Sequence, residues 1–279
     1  MKVRFAIGPG SNAGDRGALI AFADALEATG FDGVWLSDIP LGPVLDPLLA
    51  LALIAGRTRR LRLGANVVPL GRNPFLLAKE LAQPDQLSGG RLLLSFVTGL
   101  GHPREREALG LEGSRGGALE QTLARMRDWW GREDAARPIQ DPLEVWLGGR
   151  GPKALDRVGR VADGWLGAML TPSESALARE RIQESAARAG REVDPEHFGM
   201  SIPYARSTPD EALLSSLRAR RADVDPLALL PVGVSALREL IAAYVEAGLS
   251  KFVVRPAERI VSWEDEAGWL GEAILGMQT

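Results

Sequence analysis

A short apolar run of strand length, followed by a longer run with apolar residues at helical spacing, recurs about eight times along these 279 residues. The strand-like runs are 3–7, 33–37, 61–67, 92–96, 143–147, 164–169, 198–204 and 251–254. Helix-start signatures lie between them. Asp46-Pro47 and Asn73-Pro74 each join a side chain that accepts from free amides to a proline suited to a first turn. Thr171 to Glu174, Thr208 to Glu211 and Ser262 to Asp265 have the spacing of a capping box. Gly30 reads as a left-handed cap, and Pro84 as a bend or early stop. Strands alternating with helices imply parallel pairing, because a parallel neighbour needs a crossover long enough to hold a helix. About eight such units fit a closed (β/α)8 barrel better than an open doubly wound sheet. No serine- or proline-rich linker interrupts the chain, which predicts one domain over residues 1–279.

Composition narrows the chemistry. At 46% hydrophobic residues the chain can bury a sizeable core. It has no cysteine, which excludes disulfides, thiolate metal sites and a cysteine nucleophile. Its two histidines, His102 and His197, argue against a histidine-rich zinc site. A net charge of -3, with arginines interleaved among acids, gives no electrostatic case for nucleic acid or an acidic membrane. There is no apolar run of membrane-spanning length, and residues 1–11 lack a signal-peptide pattern, so a cytoplasmic location is predicted.

A barrel of this kind carries its function at the carboxyl ends of the strands. Gly8, Ser37, Asp38, Asn66, Thr98, Gly99, Tyr204 and Arg255 collect there, with Gly148, Gly149, Arg150 and Gly151. The last four link the strand at 143–147 to a helix that starts at Pro152 and has Leu155, Val158, Val161 and Ala162 on one face. A glycine-rich turn at a helix start offers free amides at the positive end of the helix dipole, which suits an anion. His102 stands in a loop on the same face, where it would orient or protonate a substrate. Tyr204 would donate a hydrogen bond, and Arg255 suits an acidic substrate or phosphate. Trp129-Trp130 cannot both face one core, which leaves one for a subunit interface.

Three stretches, GFDGVWLSD at 30–38, TRRLRLGANVVPLGRNPFLLAKELAQPDQLSGGRLLLSFVTG at 58–99 and VWLGGRGPKALDRVGRVADGWL at 145–166, resemble the bacterial luciferase-like oxidoreductases. That family includes enzymes using FMN and many using the deazaflavin coenzyme F420. The resemblance implies a (β/α)8 barrel, a homodimer and a cofactor ring above the strand ends with Asp38 beside it. It also implies a non-prolyl cis peptide at Asn66-Val67 supporting the ring, Thr98 and Gly99 near the cofactor's side chain, and a phosphate loop at Gly148, Gly149, Arg150 and Gly151. Two departures matter. Ile39 stands where many members have a histidine acting on substrate, and the segment 101–142 is shorter than in many relatives. The favoured reading is hydride transfer between F420 and a small organic substrate, with Asp38, His102 and Tyr204 as catalytic candidates. An FMN-dependent luciferase-like monooxygenase and a non-catalytic flavin-binding protein are the alternatives. A cofactor-free sugar-phosphate enzyme ranks lowest, since none of lysines 2, 79, 153 and 251 stands at a catalytic strand end.

Overall fold

The computed structural model describes residues 1–10 and 12–279. Its strands are β1 (Arg4–Ile7), β2 (Gly33–Ser37), β3 (Arg62–Val67), β4 (Leu92–Phe96), β5 (Val145–Gly148), β6 (Gly164–Ala168), β7 (Phe198–Tyr204) and β8 (Lys251–Pro256). All pair in parallel in chain order, and β8 closes on β1, so the expected (β/α)8 barrel is the observed one. Its helices are α1 (Arg16–Thr29), α2 (Pro47–Arg57), α3 (Pro74–Ser88), α4 (Pro103–Ala108), α5 (Arg115–Trp130), α6 (Pro152–Val161), α7 (Pro172–Arg188), α8 (Glu211–Arg220), α9 (Gly233–Glu246) and α10 (Trp263–Ile274).

Local chemistry sets most helix ends. Asp46 accepts from the amides of Leu48 and Leu49 at 2.9 and 3.2 Å, and Thr171 and Glu174 form a reciprocal capping box. Two expectations are corrected. Pro84 does not stop α3, which runs on to Ser88 and ends at Gly89 with φ +69°; one proline costs the helix a single amide donor. Helix α8 is capped by Asp210, whose carboxylate accepts from Leu213 N at 2.8 Å, so the spacing from Thr208 does not set its start.

Alternation along the strands divides two cores. Ala6, Trp35, Leu93, Trp146, Leu166 and Val253 pack inside the barrel, whereas Phe5, Ile7, Phe198, Met200 and Ile202 face the helices. Trp35 lies against Gly64, where a Cβ would come within 2.1 Å of the ring, and Trp146 lies against Gly164 in the same way. Burying about 200 Å² of indole stabilises the fold by about 5 kcal/mol, so glycine on one strand makes room for tryptophan on the next.

The largest departure from a plain strand–helix repeat follows β7. Ala205 bridges to Val232, and between them residues 206–231 form an excursion containing α8 and a 3-10 turn at Pro226–Ala228. Arg221, 3% exposed, anchors it by donating to the carbonyl of Met169 and to the carboxylates of Glu174 and Asp223. Met169 follows β6 and Glu174 opens α7, so this excursion lies over the C-terminal mouth.

Candidate active site

The turn after β5 is exposed at that mouth. Gly149 has φ +123°, and a Cβ there would stand 2.7 Å from Ala154 Cβ, so a side chain is excluded twice over. The Trp165 indole holds the turn by donating to the Gly149 carbonyl at 2.8 Å. Gly151 is the N-cap of α6 with no side-chain cap, and the amides of Arg150 and Gly151 donate to no group among the described residues. These amides, in an exposed turn at the positive end of α6, fit a phosphate.

Beside it, the turn after β4 is the same device already filled. Gly99 and Gly101 adopt φ +71° and +78°, and the amides of Leu100 and Gly101 donate to the buried Glu105 carboxylate at 3.2 and 3.0 Å. Arg115 donates to the carbonyls of Thr98 and Gly99 at 3.0 and 3.3 Å. Thr98 and Gly99 therefore belong to a loop on the C-terminal face of the barrel that the chain's own hydrogen bonds hold in place. The pattern His102-Pro103-x-Glu105, an acid three residues after a capping position, is the signal that would have found Glu105.

At the ends of β2 and β3, Asp38 Oδ2 accepts from the Val68 amide at 3.1 Å and from Arg72 at 3.0 Å. Arg72 also reaches Asp46 at 3.4 Å. Burial raises the Asp38 carboxyl above its ordinary value, against the lowering effect of the Val68 amide and Arg72. Its Oδ1 has no hydrogen-bond partner among the described residues. A cavity of about 260 Å³ opens here, lined by Asp38, Ile39, Val68 and Leu109 among others. Asn66 lies on the inner face of β3 and donates to Ser37 Oγ at 3.3 Å. Asp38, Asn66, the Thr98-Gly99 loop and the Gly148–Gly151 turn thus follow one arc of the rim, from β2 to β5.

Three sequence-based assignments are revised. Tyr204 is not at the mouth: it faces outward, donates to Glu266 and stacks on Trp269 at 5.6 Å. Burial pushes its phenol far above the ordinary range, which removes it as a proton donor. It shares a face with Phe198, Met200 and Ile202, an alternation that was legible. The Asn66-Val67 peptide is not cis; both residues continue the β3 ladder against Ser95 and Phe96. His102 lies on the exposed lip with Nδ1 accepting from Arg104 N at 3.2 Å, which makes it the N-cap of α4.

A cavity of about 380 Å³, larger than the one beside Asp38, lies at the opposite pole, around Arg4, Arg62, His197 and Lys251 at the amino ends of the strands. Its charges are met internally: Arg4 by Asp32 at 3.5 Å, Lys251 by Glu196 at 3.7 Å and Arg62 by the Gly90 carbonyl at 3.1 Å. Size alone does not locate function in this barrel. Among the described residues there is no cluster of three metal-ligating side chains, and no helix is long and apolar enough to cross a membrane.

The chain is a closed, parallel eight-stranded barrel with a glycine turn at a helix start after β5 and a partly buried acid after β2. Residues 2–228 match the family described as luciferase-like monooxygenase, and the chain belongs to that family. A phthiodiolone/phenolphthiodiolone dimycocerosates ketoreductase of Mycobacterium kansasii is 33% identical over 169 residues, covering 53% of this chain and 46% of that protein. The match thus spans about half the length of that relative. An F420-dependent secondary alcohol dehydrogenase, solved with an F420-acetone adduct, superposes with a TM-score of 0.83 at 18% identity over 100% of both chains. The oxygenating constituent of 3,6-diketocamphane monooxygenase from Pseudomonas putida, solved with FMN, gives a TM-score of 0.72 at 16% identity over 98% of this chain and 96% of that one. At these identities the two structures share the fold.

Proposed function

We propose that this protein is an oxidoreductase that binds F420, or alternatively FMN, and acts on a small organic substrate. The observation that carries this reading is the pair of amides at Arg150 and Gly151, which no group among the described residues engages, in front of α6. Membership of the luciferase-like family and the F420 named for one of its structural neighbours support the choice of ligand. When bound, such a cofactor supplies a ring that accepts or donates hydride. In this reading the turn after β5 would hold its phosphate, Thr98 and Gly99 would shape the rim, and Asp38, whose Oδ2 is held by Val68 and Arg72, would offer Oδ1 to the cofactor or substrate.

Titration with F420 and with FMN, following ligand fluorescence, tests the reading. Saturable binding that favours F420 supports it, preference for FMN moves it to a flavin monooxygenase, and binding of neither sinks both. A non-catalytic binding protein is favoured by one observation: no free histidine stands near Asp38, with Ile39 beside it, His102 capping α4 and His197 at the far pole. Cofactor binding without reduction by any alcohol or ketone couple would select it. A homodimer is supported by exposed Leu45, Leu49, Leu53, Phe75 and Leu76 around α2 and α3. Leu49→Asp is expected to convert a dimer to monomer in size-exclusion chromatography.

A further inference from the structure

On β8 the inward positions are Lys251, Val253 and Arg255, which puts Lys251 at the amino pole, Val253 in the inner core and Arg255 at the mouth. Arg255 is part-buried and makes one side-chain hydrogen bond, from Nε to Ser201 Oγ on β7 at 3.2 Å. Among the described residues no carboxylate lies within 4.0 Å of it.

Other part-buried arginines show what this site lacks. Arg221 has Glu174 and Asp223, and Arg72 has Asp38 and Asp46. Arg91 has no acid, but its guanidinium donates to the carbonyls of Ala55, Thr58, Leu61 and Ser88 and to Thr58 Oγ1. A guanidinium offers five N–H donors, and Arg255 leaves four of them without a partner among the described residues. Burial, and then the neighbouring Arg220, hold its pKa below the ordinary value, so the fold keeps a cation there against both desolvation and repulsion. Gly8 on β1 leaves room for the stem: a Cβ there would already stand 3.5 Å from Arg255 Cβ.

We infer that Arg255, steadied by Ser201, receives an anionic group of the substrate, a carboxylate or a phosphate. The assignment to substrate rests on the oxidoreductase reading above. The cofactor contacts proposed there run along the rim from β2 to β5, while Arg255 and Ser201 stand on β8 and β7, in the other half of the mouth. A planar fork with four free donors matches the two oxygens of a carboxylate or phosphate in a way an ammonium does not. Arg255 is a positioning and specificity residue: it fixes which end of the substrate enters and leaves the opposite end under the ring.

The test uses cofactor-free full-length protein carrying Gly151→Asp, whose own carboxylate blocks the loop after β5, so that failure of the cofactor reading leaves the experiment intact. Melting is followed against inorganic phosphate and against glutarate, with sodium chloride at matched ionic strength. A saturable rise of several degrees, absent in Arg255→Met and in the second uncharged variant Arg255→Gln, is the expected result. Both variants melt no lower than the parent without anion, because they remove a part-buried charge that no carboxylate among the described residues meets. No rise in the parent, or an equal rise in both variants, overturns the proposal. A second arm compares FMN with riboflavin, which lacks the phosphate, in protein with Gly151 intact. Their affinity ratio stays within twofold on Arg255→Met if the anion belongs to the substrate. A tenfold loss of the preference for FMN assigns Arg255 to the cofactor and overturns the substrate assignment.

Discussion

After β4 and after β5 the chain makes the same kind of turn and uses it in opposite ways. In the first, glycines with positive φ let the amides of Leu100 and Gly101 converge on the carboxylate of Glu105, an anion the chain carries itself. In the second, Gly149 gives the same freedom, yet the amides of Arg150 and Gly151 meet no acceptor among the described residues. The first turn is therefore closed by an anion of the chain, while the second leaves its amides without a partner among the described residues. The difference comes from one acidic residue placed three positions after the capping residue of α4 and missing from the start of α6. Backbone amides alone are indifferent to whether an anion comes from the chain or from solution.

Emptying the filled turn gives the largest expected effect on stability. Glu105→Ala removes the buried carboxylate on which the amides of Leu100 and Gly101 converge, and a loss of about 3 kcal/mol is expected in urea unfolding. Glu105→Gln keeps an acceptor oxygen and is expected to cost about half as much. The cap over the mouth comes next. Arg221→Met removes the buried guanidinium that ties residues 206–231 to Met169, Glu174 and Asp223. Its partners are partly exposed, which keeps the expected local loss to about 2 kcal/mol, or roughly a thirtyfold faster tryptic nicking at Arg218 and Arg220.

Tyr204→Phe is expected to cost about 1 kcal/mol through the lost bond to Glu266 and to leave cofactor affinity and turnover unchanged. A loss of turnover would return Tyr204 to the site. The smallest effect is one of pH. Burial raises Glu174, but its bonds to Arg221 and Thr171 outweigh this and leave it below its ordinary value; Arg221 lowers Asp223 to about 2. Unfolding the cap raises both groups back to ordinary carboxylate values. Their contribution is therefore complete above about pH 4.5 and is lost as pH falls toward 2. Peptic cleavage within 206–231 is expected to rise over that window in the wild type and to be flat in Arg221→Met.

The barrel was legible because strand and helix periods alternate without interruption, and because the Asp-Pro, Asn-Pro and Thr-x-x-Glu starts act within a few residues of themselves. The glycine turn before α6 was legible for the same reason: Gly148 to Gly151 and Pro152 carry their conformations locally. What escaped depends on distant partners. Arg221 means nothing in sequence until Met169 and Glu174 stand beside it, and residues 206–231 show no period that marks a cap. Asp38 was placed on the correct face, but its hold on Val68 and Arg72 links positions about 30 residues apart. The misplacement of Tyr204 was avoidable, since the apolar alternation through Met200 and Ile202 already fixes its side of the strand.

Converting the second turn into a copy of the first tests this account most directly. Gly151 has φ -78°, and a Cβ there meets nothing within 4 Å, so Gly151→Asp introduces a carboxylate without strain at a position where aspartate caps a helix. The measurement is the melting temperature and the affinity for F420 and FMN on the same sample. The account predicts a melting temperature equal to or above that of the wild type, with affinity lowered at least a hundredfold, about 2.7 kcal/mol. A well-folded Gly151→Asp protein that binds either cofactor within threefold of the wild type would contradict it.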